Sequence, residues 1–95
     1  MENHRLYEIL TNFRPENLEE FGLEYDGEFW SNPELSLSID VNGGRLIVHR
    51  GGVMVNRLNA DTNDPVSLYN TFVETGLIEP AQHLLYLREQ GINVP

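Results

Sequence analysis

The segment Leu35-Ser36-Leu37-Ser38-Ile39-Asp40-Val41 alternates apolar and polar residues without a break, and Asn42-Gly43 follows at once. Strict alternation is the signature of a half-buried strand, because successive side chains point to opposite faces. Asn-Gly tolerates the positive φ angles of a two-residue hairpin turn. The chain must therefore turn back, and Arg45–Arg50 supplies the return strand. Gly51-Gly52 turns it again, and Val53–Leu58 supplies a third strand. With two-residue turns, Leu35, Leu37, Ile39, Val41, Leu46, Val48, Val53 and Val55 fall on one face. The other face takes Ser36, Ser38, Asp40, Arg45, His49 and Asn56, with Ile47, Met54 and Leu58 among them. Asp40 then stands opposite Arg45, an attractive cross-strand pair. The expectation is a three-stranded antiparallel meander over about residues 35–58.

A sheet with one apolar face needs a cover, and the flanking segments read as helices. Leu6, Ile9, Leu10 and Phe13 make one apolar stripe over residues 4–13, with Asn3 as the N-cap. Arg14-Pro15 ends that helix, since a residue before proline avoids the helical region. Pro15 opens a short second helix with Leu18 and Phe21 inward and Gly22 as its stop. After a polar loop at 59–63, Asp64-Pro65 starts a helix carrying Leu68, Tyr69, Phe72 and Val73, and Gly76 stops it. Pro80 begins the last helix, with Ala81, Leu84, Leu85 and Arg88 on one stripe, Leu87 beside it, and Gly91 as its end. Residues 23–34 carry turn signals at Asp26-Gly27 and Ser31-Asn32-Pro33, which fit a short hairpin or a packed loop equally well. The fold class is α+β, in the order α-α-(short β or loop)-β-β-β-α-α, as a single domain over residues 1–95.

Charge narrows the function. The net charge is −9, and it is unevenly placed. Residues 1–40 hold ten acids against two arginines, a net of −8, whereas residues 41–60 hold three arginines and no acid. A surface of this kind repels nucleic acid and anionic membranes and favours basic partners. All six basic residues are arginine, the side chain suited to bidentate pairing. There is no cysteine, so disulfides, thiolate nucleophiles and cysteine-ligated metals are excluded. Met1-Glu2-Asn3-His4 lacks the basic start of a secretion signal. No apolar run reaches membrane-spanning length. A cytoplasmic protein is expected.

No motif carries catalysis. Gly43-Gly44 and Gly51-Gly52 are turns, with neither phosphate-loop pattern around them. The three histidines, His4, His49 and His83, stand apart in sequence, and a metal site needs three or four ligands. Asp61, Asn63 and Asp64 match the start of a calcium loop, but Val66 and Phe72 stand where its glycine and terminal glutamate belong. No cofactor is expected. A cluster of Arg45, His49 and Arg50 is the one place where unfamiliar chemistry would be sought.

What remains is an acidic run interleaved with aromatics. Glu16, Glu19, Glu20, Glu24, Asp26, Glu28 and Glu34 come without a base, and Tyr25, Phe29 and Trp30 lie among them. Aromatic anchors give contact energy at an interface and charges give steering and register. The partner-binding candidates are therefore Glu16, Glu19, Glu20, Glu24, Tyr25, Asp26, Glu28 and Trp30. Equally, the aromatics could be core and the acids a solvated rim. On the first reading the chain is a small non-enzymatic binder of a larger basic protein: an inhibitor, immunity protein, anti-defence factor or adaptor. Mimicry of duplex DNA is its strongest form. The alternative is self-association as a homodimer or larger assembly, through Ile47, Met54 and Leu58 on the sheet face or along the edge strand.

Overall fold

The alternating segment is a strand in the computed structural model, which describes residues 1–51 and 56–95, but the sheet around it is wider than three strands. β1 (Glu24–Tyr25), β2 (Trp30–Asn32), β3 (Leu37–Asn42), β4 (Arg45–Arg50) and β5 (Asn56–Asp61) pair in that order, every pair antiparallel. Residues 23–34 thus contribute two short strands. The α+β class holds, and the three-stranded meander becomes the larger part of a five-stranded one.

Register differs from expectation in two instructive ways. Asn42 pairs with Arg45, so the turn is Gly43-Gly44, with φ of +58° and +82°. Two glycines accept positive φ at less cost than Asn-Gly does. Asp40 consequently faces Ile47, not Arg45. The shift amounts to two positions, so Leu37, Ile39, Val41, Leu46 and Val48 all keep their expected face. Strand β5 begins at Asn56 and runs through the expected loop to Asp61. Its pairing with β4 is shifted by three positions, an odd number, so its faces invert. Leu58 pairs with Val48 on the core side, and Ala60 pairs with Leu46 and is buried. Thr62 pins the strand end, donating from its amide and hydroxyl to the Gly44 carbonyl at 2.9 and 2.8 Å. These bonds and the ladder to β4 override the low strand preference of Asn59 and Asp61. Val53, Val55 and Met54 lie outside the described residues.

The start of β3 is corrected as well. Leu35 belongs to a 3₁₀ turn, Pro33–Leu35, capped by the Asn32 side chain accepting from the Glu34 amide at 3.0 Å. Ser36 leaves that turn at φ +50°, so the alternation becomes a strand only at Leu37.

Helix α1 spans Asn3–Thr11, α2 Pro65–Glu74 and α3 Leu84–Glu89. Glu2, not Asn3, caps α1, accepting from the His4 amide at 3.0 Å. This frees the Asn3 side chain to reach across to His83. Pro15–Phe21 winds as a 3₁₀ helix, whose three-residue repeat suits Leu18 and Phe21 on one side, and Gly22 ends it at φ +85°. Asp64 caps α2 as expected, accepting from the Val66 amide at 3.1 Å. Arg50 donates to the Glu74 carbonyl at 2.6 Å and satisfies one of that helix's last carbonyls. Pro80 starts only a 3₁₀ turn, Pro80–Gln82, before α3. Within α3, Leu87 is buried and Leu84 packs against the core, while Leu85, expected on the inner stripe, is 75% exposed. The tail folds back: Ile92 and Val94 are buried, and Arg88 Nε donates to the Val94 carbonyl at 3.2 Å.

One apolar core joins these parts. It takes Leu6, Ile9 and Leu10 from α1, Leu18 and Leu23, the inner sheet residues, Leu68, Tyr69 and Phe72 from α2, and Leu87 from α3. No described residue on the opposite sheet face is fully buried. None of the helices among the described residues is long and apolar enough to cross a membrane.

Candidate binding cleft

The acidic run does not act as one unit. The structure divides it between carboxylates that hold the fold and carboxylates that do not. Glu20 belongs to the first kind. Its two oxygens accept from Arg5 Nε at 2.7 Å and Nη2 at 2.6 Å, tying the 15–21 helix to α1. These hydrogen bonds hold the Glu20 carboxyl below its usual range. Asp26 is the second structural acid. Its Oδ1 accepts from the amides of Phe29 at 2.7 Å and Glu28 at 2.9 Å, closing the turn between β1 and β2, and the same bonds lower its pKa. Gly27 supplies the positive φ, +98°, that this turn requires.

Glu16, Glu19 and Glu28 are of the second kind. Together with Tyr25 and Trp30 they line an open cleft of about 720 Å³, completed by Pro15, Gly27, Asp40 and Val41. The sequence explains the convergence. Glu16 and Glu19 are three residues apart on a 3₁₀ helix, so they project from one side. Glu28 is carried over by the turn that Asp26 closes. Asp40 borders the cleft from β3, but it alternates with Ile39, the partner of Trp30, so its side chain belongs to the opposite, outer face of the sheet. Among the described residues none of the three glutamates has an ion-pair or side-chain hydrogen-bond partner.

Tyr25 and Trp30 face each other across β1 and β2. Their ring centroids are 5.1 Å apart with the planes tilted by 36°, an arrangement aromatic pairs favour. Trp30 is 8% exposed and joins the core, whereas Tyr25 is 56% exposed. The two expectations for the aromatics are both met in part: Trp30 is core, and Tyr25 is surface.

Of the expected partner-binding residues, Glu16, Glu19, Tyr25, Glu28 and Trp30 come together. Glu20 and Asp26 serve the fold, and Glu24 lines shallower grooves beside Asn32 and Glu34. A second hollow, about 300 Å³ between α1 and the 15–21 helix, holds Arg5 and Arg14 as well as Glu8 and so carries both signs of charge.

The remaining candidates lie apart. On the outer sheet face Ile47 is half-buried between Asp40 and Asn59, its partners on the neighbouring strands. Leu58 packs against the core instead. His49 pairs with Ser38 and Arg57 on the outer face, while Arg50 is turned to α2, so Arg45, His49 and Arg50 do not converge. His83 is buried, and its Nδ1–H donates to Asn3 Oδ1 at 2.6 Å. Nearby, His4 Nδ1 lies 3.0 Å from the Tyr86 hydroxyl. Among the described residues no three histidine or carboxylate side chains are close enough to hold a metal ion.

Compared with protein-family models, with curated proteins and with solved structures, the chain gives no match in any of the three.

Proposed function

We propose that the chain is a small, non-enzymatic protein-binding module that docks on a larger basic protein, acting in the cytoplasm as an inhibitor, immunity, anti-defence or adaptor protein. One observation carries the reading: three glutamates without partners among the described residues line one cleft with an exposed tyrosine backed by a buried tryptophan. Charges held without partners inside one cleft repel one another, and a basic partner relieves that repulsion. Tyr25 offers the rigid contact area typical of interface anchors. The outer sheet face favours self-association less, since Leu58 is turned inward and, among the described residues, Ile47 pairs only with polar Asp40 and Asn59.

The test begins with affinity capture from native-host lysate at low and high salt, followed by purification of the partner. Its affinity is then measured for the wild type and for the triple variant Glu16→Arg, Glu19→Arg, Glu28→Arg. Glu20 is left intact because it holds Arg5. The variant should keep its circular dichroism spectrum and lose about a hundredfold or more in affinity, the usual scale for reversing several interface charges. An unaltered affinity refutes the reading. Where the partner binds DNA, competition by duplex DNA separates mimicry from ordinary docking.

A further inference from the structure

We propose that Asn42 is a modification site, at which the backbone nitrogen of Gly43 closes on the Asn42 side chain and converts the residue to aspartate and isoaspartate. The chain holds ten asparagines, and Asn42 is the one followed by glycine. A side chain on the following residue hinders ring closure, so this position offers the least obstructed nucleophile. Asn42 is exposed on the last rung of the β3–β4 ladder, opposite Arg45. Gly43 lies in the turn beyond that rung, at φ +58°, and nothing outside its chain neighbours comes within 4 Å of the point a Cβ would occupy. Its amide donates to no described residue, so the nitrogen is open to water and to a base. Other asparagines are engaged: the side-chain oxygens of Asn17 and Asn32 accept from the amides of Arg14 and Glu34, and that of Asn3 accepts from His83. Asn32 also precedes a proline, whose nitrogen carries no proton to give up. The reaction needs water alone. Water or hydroxide takes the Gly43 amide proton, the nitrogen bonds to Asn42 Cγ, and the Cγ–Nδ2 bond breaks with release of ammonia. Water then opens the resulting succinimide. Opening at Cγ gives aspartate on the ordinary backbone, and opening at the backbone carbonyl gives isoaspartate, whose chain runs through Cβ and Cγ. Nothing is oxidised or reduced. Aspartate sets a carboxylate opposite Arg45, an attractive cross-strand pair. Isoaspartate lengthens the backbone by a carbon next to Gly44, whose carbonyl holds Thr62 at the end of β5.

The intact folded chain is incubated at mildly alkaline pH in heavy-oxygen water, then digested and sequenced by mass spectrometry with electron-transfer fragmentation, which distinguishes aspartate from isoaspartate. Label should enter at residue 42 ahead of every other asparagine, in both products, with one ammonia released for each chain converted. The rate should rise with hydroxide concentration, because the attacking nitrogen must lose its proton. Asn42→Gln should abolish the label at this position, since its longer side chain would have to close a larger ring. Asn42 is exposed, so that change leaves the core untouched, and an unaltered circular dichroism spectrum confirms it. A second sample of the wild type, unfolded in urea, shows what the turn itself contributes. A folded chain that keeps Asn42 intact overturns the proposal, whether or not the unfolded chain takes up label there. So does label appearing at another asparagine of the folded chain as fast as at residue 42.

Discussion

Two polar regions of this small molecule are built on opposite principles. Where the chain ends meet, polar groups are satisfied by one another. Buried His83 bonds Asn3, His4 meets Tyr86 nearer the surface, and Arg88 holds the carbonyl of Val94, while Leu87 of α3 is fully buried. At the cleft, three exposed glutamates line one hollow without partners among the described residues. Buried polar groups are costly unless bonded, so the seam between the chain ends couples its polar contacts to stability. Exposed like charges lower stability slightly and gain nothing from the fold. The contrast separates residues selected by folding from residues that folding alone does not account for.

The largest expected effect lies in the seam. Leu87→Ala should cost about 2–5 kcal/mol in chemical denaturation, the range for truncating a fully buried leucine. A loss below about 1 kcal/mol would mean that α3 is not part of the cooperative core. His83→Ala comes next. It leaves the Asn3 carbonyl oxygen without its partner, at a cost of about 1–3 kcal/mol. Burial, and secondarily the chain's amino terminus, hold the His83 imidazole below its ordinary pKa of 6.5. The folded state therefore favours the neutral ring. That contribution is full above the unfolded pKa and is lost as pH falls below about 6.5. Between about pH 7.5 and pH 5.5 the wild type should lose more stability than His83→Ala. Parallel pH profiles would show that the ring is not held neutral in the seam.

The seam and the cleft also differ in how far they could be read from sequence. The apolar stripe of Leu6, Ile9 and Leu10 and the capping pair Asp64-Pro65 declare themselves locally, since both depend on neighbours a few residues away. The sheet is harder. The turn at residues 42–45 moved the register by two positions and cost the reading only a partner for Asp40. The connection after Arg50 moved it by three and inverted a strand, carrying Leu58 from the expected interface into the core. Register parity depends on turn length, and two consecutive glycine pairs leave that length open. The acidic run was visible as a whole, but its division was not. Whether a glutamate is free depends on distant residues: Arg5 lies 15 positions from Glu20, and no local pattern joins them.

The smallest expected effect bears most directly on the cleft. If its three glutamates are uncompensated, removing charge should relieve repulsion. The pair Glu19→Gln, Glu28→Gln should raise stability by about 0.2–0.5 kcal/mol per charge removed at low salt, the scale of like-charge pairs at one-turn spacing. The gain should shrink as salt is added, because screening already relieves part of the repulsion. Glu20→Gln provides the opposite control, since it removes an acid that Arg5 holds, and stability should fall. A stabilising change that weakens partner binding identifies a position kept for function at the expense of the fold. If the paired variant is no more stable than the wild type, the acids are solvated well enough not to interact. The cleft would then lose the repulsion that a basic partner is proposed to relieve.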